Sequence, residues 1–137
     1  MDTLGAGGYR GARDRLERAL ASGNLEQRIA SARALGQLKA VECATSLLAA
    51  LRDEAWQVRA QAARSLGSVR ATIAITALAA RLTDPSWWVR RHAAYALGSL
   101  GVEGRETLRR IAESSPDPYA RDMAQEVLEG GVNLDVA

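Results

Sequence analysis

At 137 residues and 47% hydrophobic, the chain amounts to about one domain and is too apolar to be disordered by composition. Its net charge is only +2, with 18 basic residues (all arginine except Lys39) against 16 acidic ones, which falls short of the basic excess of a dedicated nucleic-acid binder. The lone Cys43 excludes an internal disulfide, and no apolar run approaches the roughly 20 residues that span a bilayer.

Residues 1–9, rich in glycine, read as a flexible leader with no secretory h-region, so a cytoplasmic location is expected. A helix is predicted over 10–21, with Leu16 and Leu20 apolar at i, i+4. From residue 22 the chain repeats itself. Arg28, Arg59, Arg90 and Arg121 stand 31 residues apart, and so do Leu35, Leu66, Leu97 and Leu128. A fixed period of this length means one helical hairpin copied along the chain, a unit that cannot bury its apolar side alone. Each copy opens with Asp or Ser, read as N-cap chemistry, as in Asp53-Glu54-Ala55-Trp56 and Asp84-Pro85-Ser86-Trp87. First helices follow at 24–37, 55–69, 86–100 and 118–129. Val58, Ala62 and Leu66 form one helical stripe. Gly36, Gly67 and Gly98 serve either as C-terminal breakers or as points of close packing. Second helices are predicted at 41–52, 71–83 and 103–113. Their apolar positions are Ala44, Leu47, Leu48 and Leu51 in the first and Ile75, Leu78 and Leu82 in the second. Leu108, Ile111 and Ala112 of the third are slipped by one residue relative to these copies. Residues 130–137 read as a second flexible tail, leaving 10–129 as the repeat domain.

The pattern Asp-x-x-Trp-x-Val-Arg-x-x-Ala-Ala-x-x-Leu-Gly at Asp53–Gly67, nearly repeated at Asp84–Gly98 and followed each time by a Leu-rich helix, resembles the HEAT repeat. Its 31-residue period is similar to the short HEAT-like repeats of phycobilin lyases and of small bacterial scaffold proteins. The resemblance covers residues 22–129. It implies an all-α, right-handed α-solenoid of about four helix pairs, with first helices forming an outer layer and second helices an inner, often ligand-facing one. The arginine column reads either as an anion-binding stripe for phosphate or nucleic acid or, as the resemblance implies, as a structural ladder stapling neighbouring units. Arg59 would pair with Asp53 or Asp84, and Arg90 with Asp84, with Arg28 and Arg121 at equivalent places.

Trp56 and Trp87 occupy equivalent positions with Leu25 and read as packing at the junction between units. Trp88 differs, because its counterparts Glu26, Gln57 and Tyr119 are mostly polar. An exposed tryptophan beside Arg91 suits a protein interface. On the inner layer, positions off the apolar stripe are Glu42, Thr45, Ala49 and Arg52, then Ile73, Thr76, Ala80 and Thr83, then Glu103, Glu106, Arg110 and Glu113. Thr45, Ile73, Thr76 and Arg110 are the contact candidates there. Catalytic chemistry finds little to stand on. His92 is the one histidine and reads as helix surface, Cys43 sits at a small packed position, and Gly5-Ala6-Gly7-Gly8 lacks the lysine of a phosphate loop.

The expectation is a non-enzymatic scaffold with no metal and no cofactor, binding another protein through Trp88, Arg91 and the inner face. Self-association through the terminal repeats is a second route. The alternatives are nucleic-acid binding, which Glu103, Glu106 and Glu113 argue against, and a phycobilin-lyase-like activity, which would need a tetrapyrrole pocket.

Overall fold

The computed structural model describes residues 9–136, and the side-chain surroundings of residues 10–130. Residues 1–8, nearly all of the expected leader, lie outside that range. Among the described residues eight α-helices follow in order: α1 Tyr9–Ser22, α2 Leu25–Leu38, α3 Ala44–Ala50, α4 Trp56–Ser68, α5 Ile75–Ala80, α6 Trp87–Gly98, α7 Gly101–Ser114 and α8 Pro118–Val136. No strand occurs among the described residues. Short 3-10 turns precede α3 (Val41–Cys43) and α5 (Thr72–Ala74), and another (Arg81–Thr83) closes α5. Helix α8 runs past residue 129, where the sequence pattern ends it.

The helices stack in two layers. The first helices α2, α4, α6 and α8 each pack on the next, and α1, α3, α5 and α7 line their other side. This is an α-solenoid, its core a continuous seam between the layers. Leu35, Leu66 and Leu97 are fully buried from one layer, and Leu47, Leu78 and Leu108 from the other. Burial of Leu108 and Gly104, with Arg109 exposed, places the one-residue slip in α7. The cause is local: α3 and α5 enter through a 3-10 turn of three residues per turn, whereas α7 is α-helical from Gly101 onward.

The three glycines at 36, 67 and 98 are points of close helix approach, not breakers. A Cβ on Gly36 would lie 2.6 Å from Ser65 Cβ of α4, and one on Gly67 would lie 3.1 Å from Ala96 of α6. The left-handed turn that ends each helix comes three residues later, at Lys39 (φ 53), Arg70 (φ 55) and Gly101 (φ 76). Ser65 Oγ uses the proximity to donate to the Ala32 carbonyl at 2.7 Å, a buried bond between α4 and α2.

Candidate interaction surfaces

The arginine column runs along the junctions between units. Arg28 Nε and Nη2 donate to the two carboxylate oxygens of Asp53 at 2.9 and 3.2 Å. Arg59 does the same to Asp84 at 2.8 and 3.0 Å. Each is a bidentate fork across one junction, from a first helix to the turn that opens the next unit. The remaining nitrogen, Nη1, clamps the arginine's own turn, Arg28 to the Gly23 carbonyl and Arg59 to that of Asp53. The aspartates do not cap helices. The N-caps are Ala55 and Ser86, neither with a side-chain bond, while Asp53 and Asp84 accept from the N–H two residues on. Asp84 is buried and also faces Arg81 at 3.5 Å.

The pairing of Arg90 with the Asp84 carboxylate read from sequence is not what forms. Arg90 Nη1 donates to the main-chain carbonyls of Asp84 and Pro85, at 2.9 and 3.3 Å. Its acid would come from the next unit, where Ser115 stands in the aspartate's place. Ser115 Oγ makes the turn bond to the Asp117 N–H at 3.2 Å but offers no charge. Arg90 Nε is therefore buried without a partner among the described residues, and the guanidinium lies over the Tyr119 ring at 5.2 Å. Arg121 keeps only the clamp, to the Ser115 carbonyl at 2.6 Å.

Along the N-terminal ends of the first helices runs a row of large apolar groups. Leu25, Trp56 and Trp87, one per unit, are 39%, 40% and 44% exposed, so the tryptophans are surface groups and not junction filling. Trp88 at 50% and Tyr119 at 66% extend the row. Trp87 and Trp88 meet edge to face with centroids 4.8 Å apart. Arg91 lies over both Trp87 and Tyr95, at 5.4 and 4.7 Å, and is tied to Glu126 at 2.9 Å. It is a pinned arginine with its ring partners pre-arranged.

All twelve off-stripe positions of α3, α5 and α7 and the turns beside them are exposed, including Thr45, Thr76, Ile73 and Arg110. Arg110 borders a hollow of about 390 Å³ between α5 and α7, with Ile75, Val102, Glu103 and Glu106. Thr45, Thr76 and Ile73 do not line it, and Trp88 and Arg91 belong to the other layer. The six contact candidates thus form two separate surfaces. Two further hollows, of about 300 and 330 Å³, open between α2 and α4 and between α4 and α6, and share Arg64 and Ser68. Half-buried His92 edges the second. Burial first, then the charges of Arg64 and Arg91, hold its imidazole pKa below the usual value. The Cys43 thiol is buried, and burial pushes its pKa up, with Glu17 and Glu42 adding to the effect and Arg13 opposing it.

A family model described as HEAT repeats matches residues 44–129, and one described as PBS lyase HEAT-like repeat matches residues 27–53. The chain belongs to the HEAT-repeat family. Comparison with curated proteins gives no match. Among the described residues of this HEAT array, no helix is long and apolar enough to cross a membrane.

Two features of the HEAT surface escaped the sequence reading. The exposure of Trp56 and Trp87 was open to inference. Val58 and Val89 are the buried residues, and a side chain two positions earlier points about 200° round the helix. The hollows over α2, α4 and α6 follow from the close approach at Gly36 and Gly67, which the two readings of those glycines left open.

Proposed function

We propose that this HEAT-repeat protein is a non-enzymatic scaffold that binds another protein along the exposed row of Leu25, Trp56, Trp87, Trp88 and Tyr119, with Arg91 beside it. The single observation that supports this most is the register of the row. The repeat sets a large apolar side chain at the same exposed place in successive units, where solubility alone would favour polar groups. Neighbouring helix axes lie about 8–10 Å apart, so a row crossing three junctions is on the order of 25 Å long. Tryptophan and arginine are the residues that dominate interface energetics, and here they are held by one another before any partner arrives. Little ordering is left to be done on binding. The exposed face of α3, α5 and α7, with Thr45, Thr76, Ile73 and Arg110, is a second surface for the same role.

The test compares extracts of the native host passed over immobilised wild-type protein and over a Trp56→Ala, Trp87→Ala, Trp88→Ala variant, with quantitative mass spectrometry of what is retained. Because the three rings are surface groups, the variant should keep its helical circular dichroism. Proteins retained by the wild type should fall at least tenfold with the variant. Equal retention by both would overturn the reading.

A further inference from the structure

We propose that the paired hollows across α2, α4 and α6 receive an extended, acidic segment of a protein partner. This surface is separate from the aromatic row: Trp56 and Ser68 stand at opposite ends of α4, roughly 18 Å apart at 1.5 Å per residue.

The charge of these three helices is one-sided. They contain Arg28, Arg33, Arg59, Arg64, Arg90 and Arg91 but a single acid, Glu26 in the first turn of α2. Arg28, Arg59 and Arg91 are neutralised by Asp53, Asp84 and Glu126, and the Arg90 fork is buried at its Nε. Arg33 and Arg64 remain, both exposed, at equivalent places one unit apart, with no carboxylate within 4 Å among the described residues. Lys39, also lining the first hollow, and Arg70 sit at the carbonyl ends of α2 and α4, where cations offset the helix dipole. Arg33 and Arg64 stand a turn or more inside those ends and are left without such an internal role.

Beside the two arginines runs a second column in register, Gln37, Ser68 and Ser99, all exposed and all lining the hollows. It offers one hydrogen-bonding side chain per unit to a peptide main chain. The spacing fits such an occupant. Equivalent atoms on neighbouring helices are about 8–10 Å apart, and in an extended chain of the polyproline II type, with three residues per turn, carboxylates three residues apart share one face about 9 Å apart. The column that holds Arg33 and Arg64 continues as Tyr95 and then Glu126, so favourable charge ends at α6 and the segment has a defined limit. Burial does most to lower the His92 pKa, and the charges of Arg64 and Arg91 lower it further, in keeping with a positive surface here. A nucleic-acid strand presents a charge at every nucleotide, a density that two free arginines and one lysine do not match.

Fluorescence anisotropy tests this with a fluorescein-labelled peptide, Glu-Ser-Gly-Glu-Ser-Gly-Glu, its glutamine twin, and an unlabelled seven-nucleotide single-stranded DNA as competitor, at low salt. The acidic peptide should bind the wild type and the glutamine twin should not. Arg33→Gln with Arg64→Gln should weaken binding at least tenfold. Arg52→Gln, exposed on the other layer, should leave it unchanged. So should the triple tryptophan variant, which separates this proposal from the aromatic row. The proposal fails if the acidic peptide does not bind, if both peptides bind alike, if Arg52→Gln costs as much as the double variant, or if the DNA displaces the peptide at lower concentration than the unlabelled peptide does.

Discussion

The junctions α2/α4 and α4/α6 are built alike, and the junction α6/α8 is not. In the first two, an arginine fork closes on an aspartate of the next unit, and a glycine meets backbone or Cβ atoms of the next helix. In the third, Ser115 stands where the acid would be, the arginine lies over Tyr119, and the nearest atom to a Cβ on Gly98 is the Val127 Cγ1 methyl at 3.1 Å. The third unit is also the one whose second helix is slipped. The solenoid therefore does not depend on every rung of its ladder. Apolar burial carries the stack through α8, with Ala120, Met123, Ala124 and Val127 buried, and the ion pairs add a geometric constraint at the first two steps.

Asp84→Ala should have the largest effect on the complete junctions. It strips the carboxylate from Arg59 and Arg81 and the turn acceptor from the Ser86 N–H. Removing one partner of a buried pair leaves a desolvated charge, so urea denaturation should show a loss of about 3–5 kcal/mol. A loss below about 1 kcal/mol would mean that the complete rungs are as dispensable as the incomplete one. A smaller contrast comes from the glycine column. Gly36→Ala would drive a methyl into Ser65 of α4, strain its bond to Ala32, and cost about 1–3 kcal/mol. Gly98→Ala meets a side-chain methyl that can turn aside, and gains the better helix propensity of alanine, about 1 kcal/mol. It should be near neutral. Equal losses at the two positions, read from thermal melts, would erase the distinction between tight and loose junctions.

Much of this was legible in the sequence because a repeat multiplies every signal. Burial of Leu35, Leu66 and Leu97 at constant spacing, and the slip at Leu108, follow from periodicity alone. What periodicity could not supply is direction. An arginine at 59 has an aspartate six residues before it and another 25 after it, and only packing decides that its fork turns forward while its Nη1 turns back. The same ambiguity set Arg90 against Asp84, when its true counterpart was the serine one unit on. The tryptophans were misplaced for a different reason. Their register with Leu25 suggested a buried column, but a repeat copies exposed positions as faithfully as buried ones, and the angle to Val58 and Val89 was the better guide.

The one substitution expected to stabilise the protein treats the third junction as a rung waiting for its acid. Ser115 already adopts the aspartate's turn, since its Oγ accepts from the Asp117 N–H as Asp53 and Asp84 accept from Ala55 and Ser86. Arg90 already holds its clamp and presents an unpartnered Nε. Ser115→Asp should therefore complete the fork without moving the backbone. A hydrogen bond to a charged group contributes about 1.5–3 kcal/mol. Asp117, two residues away, repels the new charge, and Arg90 gives up part of its contact with Tyr119, so a net gain of about 1 kcal/mol is expected. In a domain of this size that raises the melting temperature by roughly 3–5 °C. The coupling is checked by repeating the substitution in an Arg90→Gln background, where the gain should vanish. A gain that persists there would come from the turn alone, and the third junction would then be a different kind of contact and not an incomplete copy of the first two.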